Sequence, residues 1–244
     1  LANIEADDQT RRAHREKEEI KTVALVGYTN AGKSTIMNGL VKRFGENQEK
    51  TVFQADMLFA TLETAVRKIN LPDKQSFLLS DTVGFVSKLP HGLVAAFKAT
   101  LAEAAQADLL IQVVDYSDPD YKAMTETTTK TLQEIGVRDV PMVIAFNKAD
   151  RIADQAYPER QEDELIMSAK SDESLDTLIE MVRAEIFSDH VQKELMIPFA
   201  DGQVVAALND DATVHETEYT EEGTKLSVTL TPTQVARYGK YIIE

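Results

Sequence analysis

Thr22-Val23-Ala24-Leu25-Val26 runs without a break into Gly27-Tyr28-Thr29-Asn30-Ala31-Gly32-Lys33-Ser34 and then into the helical stretch Thr35 to Phe44. A short apolar strand, a G-x-x-x-x-G-K-S loop and a helix, in that order, form the context in which a phosphate-binding loop occurs. Gly27 and Gly32 let the loop curl, so that backbone N–H groups between Tyr28 and Thr35 face one point. Lys33 can reach β- and γ-phosphate oxygens, and the Ser34 hydroxyl can ligate Mg²⁺.

Working outward, the texture from Lys21 onward is one of short apolar runs separated by helical stretches. The runs are TVALV at Thr22 to Val26, SFLLSD at Ser76 to Asp81, LLIQVVD at Leu109 to Asp115, PMVIAFN at Pro141 to Asn147 and ELIMSA at Glu164 to Ala169. Strands alternating with helices predict right-handed βαβ units around a mostly parallel sheet, so the fold class is α/β, of the three-layer P-loop NTPase type. Leu175, Leu178, Ile179, Val182 and Ile186 recur at helical spacing and predict a last helix over Ser171 to Phe187 that covers the sheet.

From Val191 the pattern changes to strand, helix, two-strand hairpin and helix, with Glu221-Glu222-Gly223 as the hairpin turn. The expected organisation is therefore a charged linker helix over residues 1–20, a main domain over 21–190 and a small α+β domain over 191–244. The chain opens on Leu1, and a preceding segment is expected.

Three further loops carry chemistry. Asp81-Thr82-Val83-Gly84 follows an apolar strand, and in that place Asp81 holds Mg²⁺ through a water while the Gly84 N–H meets a γ-phosphate oxygen. Asn147-Lys148-Ala149-Asp150 follows the strand ending at Phe146 and selects the base. An Asp150 carboxylate accepts from N1–H and the 2-amino group of guanine, whereas adenine has an acceptor at N1 and no 2-amino group. Asn147 is expected to brace base and loop, and the Lys148 stem to lie along the P-loop or base plane. Ser168-Ala169-Lys170 follows the next strand and offers the Ala169 N–H toward guanine O6. These loops together predict GTP and GDP as ligands. Between Gly45 and Ala60 the patterning lapses, which marks a functional loop supplying a second Mg²⁺ hydroxyl; spacing alone leaves Thr51, Thr61 and Thr64 as candidates.

Composition narrows the partners. An apolar fraction of 43% and a charged fraction of 27% are those of a soluble packed domain, and the absence of cysteine excludes disulfides and thiolate chemistry. A formal net charge of −15 argues against nucleic-acid binding over a broad surface by this chain, since phosphate contact needs clustered Lys and Arg. No apolar run is long enough for a membrane span, so no membrane insertion is expected; a cytoplasmic setting is the default that agrees with a chain free of cysteine, and the chain is expected to be a monomer. The four histidines show no metal-ligand spacing.

GYTNAGKST at 27–35, DMLFATLET at 56–64, the run from Asp81 to Asp115, NKAD at 147–150 and SAK at 168–170 together resemble the HflX GTPases. The resemblance covers Lys21 to Ser188, and the tail from Leu195 is similar to that family's small C-terminal domain. It implies that Thr61, with neighbours Phe59, Ala60, Leu62 and Glu63, ligates the magnesium and senses the γ-phosphate. It also implies ribosome association: the full-length proteins bind the large subunit and separate or rescue stalled ribosomes. Residues 1–20 look like the end of a helix leading from a separate N-terminal domain that makes much of that contact.

Phe85 stands where many GTPases place a water-orienting Gln and cannot hydrogen-bond a nucleophile, so intrinsic turnover is expected to be slow. Phe85 is expected to retract while backbone groups of the switch loops, or the ribosome, complete positioning. Lys33, Thr61, Gly84 and Phe85 are thus the residues nearest the reaction. The competing readings are a nucleotide-gated binding module for a non-ribosomal partner, and a P-loop ATPase or kinase, which the NKAD sequence disfavours. A lipid-anchored GTPase is also disfavoured, since no cysteine is available.

Overall fold

The structure is a computed structural model that describes residues 20–45, 65–81, 105–134, 136–137 and 139–243. In chain order its first part contains β1 (Lys21–Val26), α1 (Lys33–Phe44), β2 (Ala65–Asn70), β3 (Ser76–Asp81), β4 (Leu109–Asp115) and α2 (Tyr121–Glu134). It continues with β5 (Met142–Asn147), β6 (Glu159–Gln161), β7 (Glu164–Ile166) and α3 (Asp172–Ile186).

These strands form one sheet in the order β2-β3-β1-β4-β5-β7-β6. β1 pairs in parallel with both β3 and β4, β4 with β5, and β5 with β7; β6 runs antiparallel at the edge. Alternating side chains of a strand serve opposite faces. Ala24 and Val26 join Leu110, Leu132 and Val137 in a cluster that includes α2. Val23, Leu25, Leu109 and Ile111 are equally buried on the opposite parity, toward the α1 and α3 layer. There a Cβ on Gly39 would lie 2.7 Å from Leu175 Cδ1, so α1 and α3 pack closely and the Leu175 side chain would have to shift for a larger residue at 39. Leu175, Leu178, Ile179, Val182 and Ile186 of α3 are all buried, the stripe that an amphipathic helix presents to a sheet. The architecture is the expected three-layer α/β fold.

Among the described residues of this sheet, two strands are additional to the expected five. Ala65-Val66-Arg67-Lys68-Ile69-Asn70 alternates poorly, and Glu159-Arg160-Gln161 is wholly polar, so neither carries a strand signal of its own. Both are strands because a neighbour offers a ladder. β7 stops at Ile166, short of the expected Ala169, because the chain turns there into the Ser168 loop.

The residues cluster into two compact units, and the second begins at Ile186 and also takes Asn70–Gln75, the connection between β2 and β3. Within that unit the Lys74 ammonium donates to Asn209 O, the Thr213 hydroxyl donates to Asp73 O, and Gln75 Nε2 lies 3.4 Å from His190 Nδ1. These hydrogen bonds are tertiary, and the turn's sequence does not announce them. The rest of the unit comprises β8 (Val191–Ile197), α4 (Gly202–Asp211), β9 (Thr213–Tyr219), β10 (Thr224–Leu230) and α5 (Pro232–Tyr238). The antiparallel sheet β8-β10-β9 packs on Leu208, Tyr238 and Tyr241 through Leu195, Ile197, Leu226, Val228 and Leu230. α5 starts with a capping box between Thr231 and Gln234 and with Pro232 in its first turn.

Among the described residues no helix is long and apolar enough to cross a membrane. Leu110, 1% exposed, lies at the centre of the α2-side core. Leu110→Ala is expected to cost about 2–5 kcal/mol, read as a lower urea midpoint at unchanged slope.

Candidate nucleotide-binding site

Parallel strands all end on the same edge of a sheet, and here β1, β3, β4, β5 and β7 end there together. The register sets Leu25 beside Asp81, Val26 beside Gln112, Asp115 beside Asn147 and Phe146 beside Ile166. The chain turns to one side of β1 for β3 and to the other for β4, which opens a crevice at the carboxyl end of β1.

The loop after β1 fills that crevice with backbone. Gly27 has φ 141° and a Cβ there would lie 2.1 Å from Val113 O; Gly32 has φ 105° and a Cβ there would lie 2.2 Å from Asn147 Nδ2. Asn30 adds a third left-handed residue at φ 64°, and such a winding turns successive N–H groups to a common concave side. Lys33, first in α1, is buried, and its ammonium donates to Gly27 O at 3.0 Å and Tyr28 O at 2.9 Å. Two of its three donors are thus used within the loop, and among the described residues the third has no acceptor and can meet an anion. Burial lowers the Lys33 pKa, against the opposing pull of the Asp81 charge.

The Ser34 hydroxyl donates to Asp81 Oδ2 at 2.7 Å. Asp81 Oδ1 is buried and has no hydrogen-bond partner among the described residues. A hydroxyl and a carboxylate in contact, with an acceptor oxygen left over, fit a hard cation that takes one or two protein ligands and fills its shell with water and phosphate oxygens. Among the described residues no group of three or more His, Cys, Asp or Glu converges on a metal-sized site.

Asn147 ends β5 fully buried and joins two loops through one amide. Its Nδ2 donates to Ala31 O, and its Oδ1 accepts from the Ala169 N–H, each at 2.9 Å. This differs from the expectation at Ala169: the N–H assigned to guanine O6 is engaged by Asn147, because the buried amide oxygen needs a donor and this one is nearest. Below it, Met167 N donates to Phe146 O and Ala149 N to Met167 O, so the loops after β5 and β7 are laced together.

Asp150 accepts from Ser168 Oγ at 2.9 Å on one oxygen and from Lys170 Nζ at 2.8 Å on the other. Each carboxylate oxygen keeps a second lone pair, so both can still accept from a base. The Lys170 hydrogen bond, against a burial cost and helped by Ser168, holds the Asp150 carboxyl below its ordinary range. Lys148 sends its ammonium to Asp115 Oδ2 at 2.5 Å. Asp115 went unmarked in sequence; the one sign was an acidic residue closing an apolar strand, as Asp81 closes another.

Gly27 to Thr35, Asp81, Asn147 to Asp150 and Ser168 to Lys170 are therefore at one sheet edge, with Thr35 exposed in the first turn of α1. Phe59, Ala60, Thr61, Leu62, Glu63, Thr82, Val83, Gly84 and Phe85, with the other candidates Thr51 and Thr64, lie outside the described residues.

A protein-family model described as "50S ribosome-binding GTPase" matches residues 22–148. The GTPase HflX of Akkermansia muciniphila is 41% identical over 243 residues, covering 95% of this chain and 52% of that protein. The chain belongs to the HflX family of GTPases. The HflX protein of Magnetococcus marinus is similar to the same degree, 40% identical over 240 residues, covering 97% of this chain and 54% of its own length. This HflX chain thus spans about half the length of the curated relatives it matches. A GTP-binding protein of Sulfolobus solfataricus, solved in complex with GDP, shares the fold at TM-score 0.53 and 23% identity, over 74% of this chain and 57% of that one.

Two outcomes follow for this HflX site. Asn147→Ala strands the buried Ala31 and Ala169 backbone groups, each worth about 1–3 kcal/mol, and should lower the unfolding midpoint together with GDP affinity, both measurable on one preparation. A guanine read by Asp150 would require the carboxylate to be ionised. Its carboxyl is held low, so GDP binding through it is expected to be full above the ordinary carboxylate range and to be lost as pH falls through the lowered value. In Lys170→Met that acid-side loss of GDP affinity should move to higher pH; an unmoved profile would show that Lys170 does not tune the carboxylate.

Proposed function

We propose that this chain is the nucleotide-operated switch of an HflX protein, which binds GTP with Mg²⁺, hydrolyses it slowly, and docks on the large ribosomal subunit according to its nucleotide state. The observation that carries the proposal is the Asn147 amide, which fixes the base-reading loop and the phosphate loop on a single edge.

In this scheme Asp150 accepts from guanine N1–H and the 2-amino group. An adenine in the same place leaves that carboxylate unpaired, a mismatch that can cost as much as ~10⁴–10⁵ in selectivity. N–H groups of Tyr28 to Thr35 cradle the phosphates, and Lys33 turns its remaining donor to the β- and γ-oxygens. Ser34 and Asp81, with Thr61 by family resemblance, hold the metal. Magnesium, when bound there, neutralises charge on the β- and γ-phosphate oxygens.

Water attacks the γ-phosphorus as its bond to the β–γ bridging oxygen breaks, releasing GDP and phosphate. The Gly84 N–H stabilises a γ-oxygen. Phe85 offers the water no hydrogen bond, so an outside surface or the switch backbone has to orient it. The family model's description as a 50S ribosome-binding GTPase supports the ribosomal assignment, and the relatives' names as GTPases support hydrolysis.

The test is single-turnover GTP hydrolysis by the full-length protein with and without large ribosomal subunits. Slow basal turnover accelerated by the subunit is expected. A fast basal rate would overturn the role given to Phe85, and absence of acceleration would favour a nucleotide-gated module for another partner. Lys33→Ala should abolish tight GDP binding in equilibrium dialysis.

A further inference from the structure

Asp115 lies at the same sheet edge as the site and has no role in the scheme above. It closes β4 in register with Asn147, and Tyr116 N donates to Asn147 O at 2.8 Å, so the two strand ends are tied at the base-reading loop. Its carboxylate is clamped from one side: Oδ1 accepts from Ser117 N at 3.1 Å and from Ser117 Oγ at 2.6 Å. The other oxygen accepts from Lys148 Nζ at 2.5 Å. Both side chains are largely withdrawn from water, 22% exposed for Asp115 and 17% for Lys148, so the pair is less screened than an open surface pair. Asp115 also lines a cavity of about 270 Å³ together with Tyr28, Thr29, Asn30 and Ala31, which puts it beside the phosphate loop.

We propose that Asp115 is a positioning residue for the guanine nucleotide: it anchors the Lys148 ammonium and so fixes the lysine stem between the base-reading loop and the phosphate loop. The inference rests on the nucleotide site proposed above and adds a residue to it.

A lysine stem is long and flexible, and ordering it on binding opposes affinity. An anchored stem has lost that freedom before the nucleotide arrives, which is preorganisation. Asp115 is suited to the task because its carboxylate is itself held by hydrogen bonds on both oxygens. Ser117 fills one oxygen, and burial, which opposes its ionisation, is outweighed by Lys148 and Ser117, so its carboxyl is held below the usual range and remains charged. The Lys148 backbone adds a fixed direction, at φ 69° with its carbonyl accepting from Arg151 N. An anchor at each end leaves the stem little choice of path.

The test is a double-mutant cycle on GDP affinity with the whole chain, using Asp115→Asn, Lys148→Met and the pair, with thermal unfolding of each variant alongside. Asp115→Asn keeps the shape and an acceptor for Ser117 while removing the charge. Each single change should weaken GDP about tenfold, and the pair no more than Lys148→Met alone.

The same loss is expected for inosine diphosphate, which lacks the 2-amino group, because an anchored stem does not read that group. Asp115→Asn without effect on GDP affinity overturns the proposal. So does an equal loss in the wild-type and Lys148→Met backgrounds, which would make Asp115 a support of the strand ends alone. Asp150→Asn is the separate control: if it leaves the preference for GDP over inosine diphosphate intact, the base-reading assignment fails, whatever the cycle shows.

Discussion

One buried amide determines how the loops of this protein relate. Asn147 donates to the phosphate loop at Ala31 O and accepts from Ala169 N, and it is 2% exposed, so neither bond can be exchanged for water. A buried side-chain amide that is satisfied at both ends gives three loops a single geometry. It also dictates sequence at a distance. Gly32 has no room for a side chain, because the Asn147 nitrogen occupies the place a Cβ would take. The glycine of the phosphate loop is thus a packing requirement as well as a conformational one.

Around that amide the charges are paired in a consistent manner. Lys33 lies on its own loop carbonyls, Ser34 meets Asp81, Lys148 meets Asp115 and Lys170 meets Asp150. Among the described residues three of these groups keep capacity for one more interaction: a donor on Lys33, an oxygen on Asp81, lone pairs on Asp150. A site so arranged can receive a charged, polar ligand by exchanging or adding hydrogen bonds, with little rearrangement of the scaffold. A chain of net charge −15 can bind an anion in this way because the attraction comes from local N–H groups and Lys33, not from the surface field.

Much of this was legible in sequence, for physical reasons that particular residues show. The run from Thr22 to Phe44 names a strand, a glycine-punctuated loop and a helix at once, and the other apolar strands each end in a polar cluster. Since parallel strands end alike, clusters at those ends must converge, and the residues from Asn147 to Asp150 and from Ser168 to Lys170 are found at the edge where Lys33 lies. Features that depend on tertiary pairing were not legible. β2 and β6 exist through their neighbours, the Asn70–Gln75 turn joins the second unit by hydrogen bonds its composition does not foretell, and the Ala169 N–H is taken by Asn147. Asp115 escaped notice because nothing in a linear sequence says which lysine a strand-terminal carboxylate will meet.

The central claim is that these loops form one site for one guanine nucleotide. Calorimetric titration of the chain with GDP, and separately with ADP, in the presence of magnesium tests it most directly. The account predicts saturation at one GDP per chain and no measurable heat of binding for ADP. Equal binding of the two nucleotides, or no binding of GDP by folded protein, would contradict it.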